Sequence, residues 1–348
     1  EETQRPDVIV AVGRQRSEVA EREADGSPRT AIKHICWDGC MIANDVLESP
    51  RTWDNILQVM VDAVEQFQVV TGGGQGIGEG IALGFARFGA HVVIADKNAE
   101  TGERTAAAVR ALGRQGLAIT TDVREFDQVN ALVDRTMQHF GRLDILVNNA
   151  GILRDRMVFN MSEAEWDAVI AVHLKGHFCT IRPASALMRQ QKTGRIINFS
   201  SGSALGAPGQ PNYAAAKAGI LGLTYSCANS LAKYGITCNA IMPGAATRMT
   251  DTIPANFAQQ MGLNTSSEQA QTSPMDPNNV APIVAFLASD AAEKVNGQVF
   301  GASGYKISLY THLVPEKVIY SQGPWDLDHL FKVFKSTLGS DLSPPRMV

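Results

Sequence analysis

From Gln68 onward the sequence repeats one unit: a short, almost wholly apolar run, then a stretch long enough for a helix. The runs are Gln68–Thr71, His91–Ala95, Leu117–Thr121, Leu143–Val147, Arg195–Phe199, Gly235–Ile241 and, more faintly, Gly297–Phe300. Helical segments lie between them, among them Ile77–Phe88, Phe126–Phe140, Glu163–Arg189, Asn212–Lys233 and Pro277–Ala288. Strands joined through helices are parallel, because a tight turn can only join antiparallel neighbours. The runs do not alternate apolar with polar, as expected when helices cover both faces of the sheet. The fold expected is α/β, a doubly wound parallel sheet of about seven strands with helices on both faces.

Composition narrows the rest. The chain has 348 residues, 45% of them hydrophobic and 19% charged, which rules out global disorder. No run reaches the ~18–20 apolar residues that span a bilayer, and the acidic start does not read as a signal peptide. A net charge of −4 without a basic block gives no footprint for nucleic acid. Five scattered cysteines (Cys36, Cys40, Cys179, Cys227, Cys238) suit a reducing interior, so a cytoplasmic location is expected. His34, Cys36 and Cys40 lack a fourth ligand at metal spacing, and no metal site is expected.

Two segments fall outside the repeat. Residues 1–66 hold a strand-like run (Val8–Val12), a charged stretch (Arg14–Glu23) and a helical pattern (Trp53–Val64). Their 13 acidic and 7 basic residues make them −6, against +2 for the remainder, and no motif assigns them a role. The tail, residues 305–348, is rich in Leu309, Tyr310, Trp325, Leu330, Phe331 and Phe334 and is expected to pack as far as Ser343-Pro344-Pro345.

Thr71-Gly72-Gly73-Gly74-Gln75-Gly76-Ile77-Gly78 falls between a strand and a helix. Glycines let backbone turn sharply and approach a pyrophosphate, whose charge the next helix start favours. Gly72, Gln75, Gly76, Ile77 and Gly78 are therefore candidate phosphate contacts. Asp96 ends the second strand, where a carboxylate accepts hydrogen bonds from a ribose 2′-OH. The same carboxylate would repel a 2′-phosphate, Gln75 is no cation, and Lys97 reads as a solvated lysine, so NAD is favoured over NADP. Asp122-Val123, after the third strand, could flank adenine. Asn148-Asn149-Ala150-Gly151 closes the fourth strand and offers backbone beside the nicotinamide ribose.

Tyr213 and Lys217 stand four apart in a helical segment and share a face. A phenol titrates near 10. A neighbouring ammonium about 4 Å away supplies roughly the 3 to 4 kcal/mol needed to bring it toward neutrality. The expected division of labour is Tyr213 as acid/base and Lys217 as its tuner. Ser200, thirteen residues before Tyr213, could hold the substrate oxygen, with Ser201 and Ser203 as competitors that spacing only partly excludes.

Together T-G-G-G-Q-G-I-G (71–78), Asp96, N-N-A-G (148–151), Ser200, Y-A-A-A-K (213–217) and P-G (243–244) resemble the short-chain dehydrogenase/reductase superfamily over about residues 67–304. The resemblance implies a Rossmann-type sheet and hydride transfer between NAD(P) and a secondary alcohol. It further implies catalytic Ser200, Tyr213 and Lys217, with Lys217 also on the nicotinamide ribose. N-N-A-G-I-L-R-D-R (148–156), V-H-L-K-G-H-F (172–178), G-Q-P-N-Y-A-A-A-K (209–217) and P-G-A-A-T-R-M-T (243–250) are similar to one branch. That branch is the (R)-3-hydroxyacyl-CoA dehydrogenase domain of multifunctional enzyme type 2 and its bacterial relatives. It implies Ala246 at the cofactor, a homo-oligomer (dimer or tetramer), and a tail folding back near the substrate pocket. Where most of the superfamily has an asparagine completing a proton relay, this chain has His173, read either as subgroup identity or as a packed histidine. A 3-hydroxyacyl-CoA substrate leads. A steroid or other hydrophobic secondary alcohol is the alternative, and a non-catalytic dinucleotide-binding subunit a third.

Overall fold

The computed structural model describes residues 66–252, 266–320 and 324–342, all in the second of two units into which the chain divides, residues 60–348. The strand at Val8–Val12, the helix at Trp53–Val64 and the His34/Cys36/Cys40 group lie outside the described residues. The elements are β1 (Phe67–Thr71), α1 (Gly76–Arg87), β2 (His91–Asp96), α2 (Ala99–Ala111), β3 (Gly116–Thr120), α3 (Phe126–Phe140) and β4 (Ile145–Asn148). After them come α4 (Glu163–Ile170), α5 (Gly176–Gln191), β5 (Gly194–Phe199), α6 (Pro211–Leu231), β6 (Ile236–Gly244), α7 (Ala281–Ala288), β7 (Val299–Ser303), β8 (Lys306–Tyr310) and α8 (Leu327–Phe334).

The sheet runs in the order β3-β2-β1-β4-β5-β6-β7-β8, parallel from β3 to β7. Strand order reverses between β1 and β4, so their carboxyl ends, Thr71 beside Asn148, open a crevice between diverging connections. The pleat sends successive residues to opposite layers. Val70, Ile94 and Val147 join Ile81, Phe85, Val284 and Leu287 on one face, from α1 and α7. Val69, Val93 and Leu146 join Leu132, Ile181 and Met188 on the other, from α3 and α5. Each such side chain stabilises the sheet by about 1.5–3 kcal/mol, which fixes register and therefore the site's geometry.

Three features depart from the sequence reading. The sheet has an eighth strand: β8 folds back antiparallel on β7, with Ser303 opposite Lys306. The two-residue turn between them places Gly304 at φ +59°, the arrangement of a type II′ hairpin. Secondly, α2 fills the β2–β3 crossover with few large apolar residues to announce it; its signal is Asn98, whose side chain accepts the Glu100 and Thr101 amides. Thirdly, the helix read over Glu163–Arg189 is interrupted by a π turn at Ala171–Lys175, between α4 and α5. Such bulges concentrate at functional positions.

Within the tail, β8 joins the sheet, Tyr310 packs beside Met242 and Val299, and His312 stacks on Tyr225 at 5.0 Å, whereas the residues beyond are more exposed. α8, capped by Asp326, buries none of its residues, Tyr320 is 89% exposed and Phe331 70%. Its apolar residues line one face of an amphipathic helix, a pattern the sequence shares with a packed one. Among the described residues no helix is long and apolar enough to cross a membrane.

Candidate active site

At the crevice the glycine loop is held by sterics. Gly72 has φ +62°, and a Cβ there would lie 2.9 Å from the Ala150 Cα. A Cβ on Gly78 would fall 2.1 Å from the Gly72 carbonyl oxygen. Gly76 is also left-handed, φ +58°, where α1 begins, and Gln75, at its N-cap, makes no side-chain cap. A loop that admits no Cβ at Gly72 or Gly78 is one whose backbone can reach a phosphate. The clamp beneath it is Asn149: its side-chain amide donates to the Thr71 and Gly72 carbonyls, both at 3.1 Å, and its backbone N–H donates to the Thr71 hydroxyl at 3.0 Å. Asn149 therefore shapes the loop with its side chain, a role its sequence position did not reveal.

Asp96 stands beside the loop. One carboxylate oxygen accepts the Gly74 amide at 3.0 Å and the other the Asn98 amide at 2.9 Å, fixing the group while leaving lone pairs free. Asp122, expected at adenine, pairs with Arg124 at 2.6 Å, which holds its carboxyl below the usual range. Val123 is buried, with Gly176 packed against it. Ala246 is buried, its amide bonded to the Met275 carbonyl. Among the described residues no group of three His, Cys, Asp or Glu side chains is arranged to hold a metal.

Across the crevice α6 begins at Pro211, suited to a helix start. Asn212 anchors it, donating to the Arg154 carbonyl at 2.9 Å and the Glu165 carbonyl at 3.1 Å while accepting the Tyr213 amide at 2.7 Å. Lys217 is buried, donates to the Phe199 carbonyl at 2.6 Å, and lies over the Tyr213 ring, 5.4 Å from its centroid. Tyr213 and Lys217 are thus brought together, as their spacing predicts.

The serine is a correction. Ser200 turns its hydroxyl away, donating to the Lys217 backbone carbonyl at 2.8 Å, and is buried. It is Ser201, the next residue, whose hydroxyl acts on the Tyr213 phenol and pulls its titration down. In extended backbone, neighbours face opposite ways, so only one of the pair can meet the phenol. Ser203 is occupied by Gln210, which in turn bonds Asp155.

The expected tuning of the phenol is also corrected. Burial pushes Tyr213 up to about 12, against the pull of Ser201 and with a contribution from the Asp155 charge. Burial pulls Lys217 down to about 7. The ammonium sits over the ring face rather than at the hydroxyl, and desolvation outweighs it.

His173, on the π turn, meets the Tyr213 ring edge-on at 5.0 Å. Its Nε2 lies 2.8 Å from the Ile152 carbonyl and 3.1 Å from the Ile152 amide. The ring occupies the space over Gly151, where a Cβ would lie 2.5 Å from the His173 Cε1. Sequence reasoning ranked Ser201 only as a competitor of Ser200, and it did not single out Asn212 or the contact of Gly151 with His173. It also passed over His177, buried one helical turn beyond His173.

A glycine cradle and a tyrosine–lysine helix facing each other at the switch point of a doubly wound sheet define a dinucleotide-dependent oxidoreductase. The chain belongs to the short-chain dehydrogenase/reductase family: the family profile described as "Enoyl-(Acyl carrier protein) reductase" matches residues 72–304. It is 41% identical over 293 residues to the hydroxyacyl-CoA dehydrogenase ChsB1 of Mycobacterium tuberculosis, covering 80% of this chain and 88% of that one. It is 42% identical over 239 residues to the 3-oxoacyl-[acyl-carrier-protein] reductase FabG of Staphylococcus aureus, covering 68% and 96%. A short-chain dehydrogenase from Mycobacterium avium superposes with a TM-score of 0.70 at 41% identity, over 81% of this chain and 97% of that one. The enzyme therefore acts on hydroxyl or keto groups, as its relatives do.

Proposed function

We propose that the protein is an NAD-dependent dehydrogenase of 3-hydroxyacyl thioesters, with coenzyme A as the thiol. The observation that carries the chemistry is Tyr213 with buried Lys217 over its ring and the Ser201 hydroxyl acting on its phenol. The thioester is supported by the 41% identity with a hydroxyacyl-CoA dehydrogenase across most of both chains. NAD is supported by the fixed carboxylate of Asp96.

The residues fit a dinucleotide: the cradle at Gly72 and Gly78 is one that a Cβ would fill. Gly72, Gln75, Gly76, Ile77 and Gly78 would hold the pyrophosphate, Asp96 the adenosine ribose, and Ala150, Gly151 and Lys217 the nicotinamide end. A bound nicotinamide would supply the hydride donor or acceptor for the substrate carbon. The protein's own part is the proton. Ser201 and Tyr213 grip the substrate oxygen through two hydroxyls, and Tyr213 exchanges the proton with it. Lys217 supplies the charge that favours the phenolate once burial no longer holds the phenol protonated. Chains of this kind pair through α5 and α6 in the proposed assembly; the exposed Trp166 and Phe178 on α4 and α5 support a homo-oligomer.

The test is a substrate panel with the full chain: a 3-hydroxyacyl-CoA, the same acyl group on a carrier protein, and a free secondary alcohol, each with NAD and NADP, read by absorbance of the reduced cofactor. The expected result is the highest kcat/KM for the CoA thioester with NAD, and a narrowed NAD preference in Asp96→Ala. Equal or better turnover of the free alcohol or the carrier-bound acyl group overturns the thioester assignment. An unchanged NAD/NADP ratio in Asp96→Ala removes Asp96 from the ribose.

A further inference from the structure

A chain of three hydrogen bonds runs from the exposed rim of the crevice inward to Ser201. One Asp155 carboxylate oxygen accepts the Gln210 side-chain amide at 2.7 Å, and the Gln210 amide oxygen accepts the Ser203 hydroxyl at 2.9 Å. The Ser203 backbone N–H then donates to the Ser201 Oγ at 3.1 Å. The chain crosses three segments: Asp155 follows β4, Ser201 and Ser203 follow β5, and Gln210 stands at the N-cap of α6. There the Gln210 carbonyl accepts the Ala214 amide at 2.7 Å, but its side chain does not cap the helix. The same segments are joined twice more, by the Arg156 amide on the Gly209 carbonyl at 2.8 Å and by Asn212 on the Arg154 carbonyl at 2.9 Å. Those two contacts hold the frame without the Gln210 side chain.

The chain has one sense. A carboxylate only accepts, so the Gln210 amide turns its NH2 to Asp155 and its carbonyl oxygen to Ser203. The Ser203 hydroxyl proton is then committed to Gln210. A backbone N–H only donates, so at Ser201 it takes a lone pair of Oγ and leaves the hydroxyl proton for another acceptor. A hydroxyl in that state is a donor, the form needed to hold a substrate oxygen that gains charge. The bond to the carboxylate is charge-assisted, and it anchors the chain at the outer end.

We propose that Gln210 is a positioning residue for Ser201: held by Asp155, it fixes Ser203, whose amide aims the Ser201 hydroxyl as a donor at the substrate oxygen. Gln210 acts through Ser201, and Asp155 sets the direction of the chain. This rests on the proposed role of Ser201 in gripping that oxygen.

The test is a double-mutant cycle on the full chain, with 3-hydroxybutyryl-CoA and NAD, read by absorbance of the reduced cofactor. Gln210→Met keeps the side-chain length and loses both bonds. Misaiming a donor forfeits part of its effect, so kcat should fall about tenfold while the KM for NAD stays in place. In a Ser201→Ala background the same change should cost less than about twofold, because the residue it acts through is gone. Gln210→Glu cannot donate to Asp155 and should lose as much as Gln210→Met. Adding Asp155→Asn supplies the missing donor and should return kcat to within about threefold of wild type. A tenfold loss that persists in the Ser201→Ala background overturns the proposal, and so does an unchanged kcat in a folded Gln210→Met enzyme. Should Gln210→Met not fold, Gln210→Glu with and without Asp155→Asn decides, and no recovery in the pair sinks the idea. Wild-type turnover in Ser201→Ala alone fails the proposed role of Ser201 instead, leaving the two outcomes distinct.

Discussion

Alanine at Ser200 and alanine at Ser201 should give opposite phenotypes. Ser200 is buried and its hydroxyl donates to the Lys217 carbonyl. That carbonyl lies inside α6 and already has its helical donor, so removing the hydroxyl leaves no orphaned acceptor. The cost is therefore at the low end for a buried hydrogen bond, about 1 kcal/mol, or roughly 2–4 °C in Tm for a domain of this size. Turnover of Ser200→Ala should stay within about threefold of wild type, since no reacting atom loses a partner. Ser201 is the reverse. It is half-buried and its hydroxyl faces Tyr213 where the substrate oxygen must sit. Losing a preorganised donor to an oxygen that gains charge costs about 10²–10³ in kcat, with little change in Tm. The assay is cofactor absorbance at saturating NAD, paired with thermal melts of both variants. A hundredfold loss in Ser200→Ala with its melt intact, while Ser201→Ala stays active, would refute the assignment.

The glycine loop and the buried histidine give two further tests. Gly78→Ala should abolish dinucleotide binding, because the new Cβ would meet a backbone oxygen at 2.1 Å that has nowhere to go. Gly76→Ala, whose Cβ has 3.5 Å to Thr247 and only a strained φ to bear, should weaken binding modestly, by about 1 kcal/mol; calorimetric titration with NAD compares them, and equal affinities would show that the loop is not the phosphate cradle. Stability should also fall with acid through His177. Its folded pKa is depressed from 6.5 to about 3, so between those values the unfolded chain binds a proton the native chain refuses. The native state is thus penalised progressively as pH drops below 6.5, by about 2 kcal/mol at pH 5. Urea midpoints at pH 7 and pH 5 measure the loss, and an unchanged pH dependence in His177→Gln would show that the ring titrates freely in the native protein.

The sheet was legible because its signal is redundant: six parallel crossovers each repeat the same apolar run and each must be covered on both faces. Where redundancy stopped, so did legibility. β8 is half exposed and borrows its pairing from β7 through a turn defined by Gly304. The tail carries the apolar spacing of a packed helix, but the spacing states only that one face wants cover, and α8 keeps that face exposed within the protomer. The π turn leaves no periodic trace, since one residue inserted into a helix rotates the succeeding turns without altering composition. Yet that turn places His173 against Tyr213.

The serine shows that counting along the chain is a weaker guide than parity along a strand. On β5, Ile196 joins the cluster that α6 helps to form, and Asn198 donates to the Thr224 hydroxyl of α6. Ser200 continues that even-numbered face and meets the α6 backbone at Lys217. Ile197 and Phe199 face the opposite layer, with Val70 and Ile241. A residue held on the α6 face directly beneath the helix reaches its main chain, while the one that leaves this register, Ser201, reaches the side-chain tip projecting beyond the strand's end. A spacing of thirteen between serine and tyrosine counts the loop 202–210 as well as the strand, and a loop can lose a residue without moving either end. Parity inside the strand is immune to that, because the pleat has a period of two whatever the loop does. Two polar residues at alternate positions near a strand's end, Asn198 and Ser200, already mark the face spent on holding the helix. The hydroxyl free for chemistry is then the neighbour that breaks the alternation.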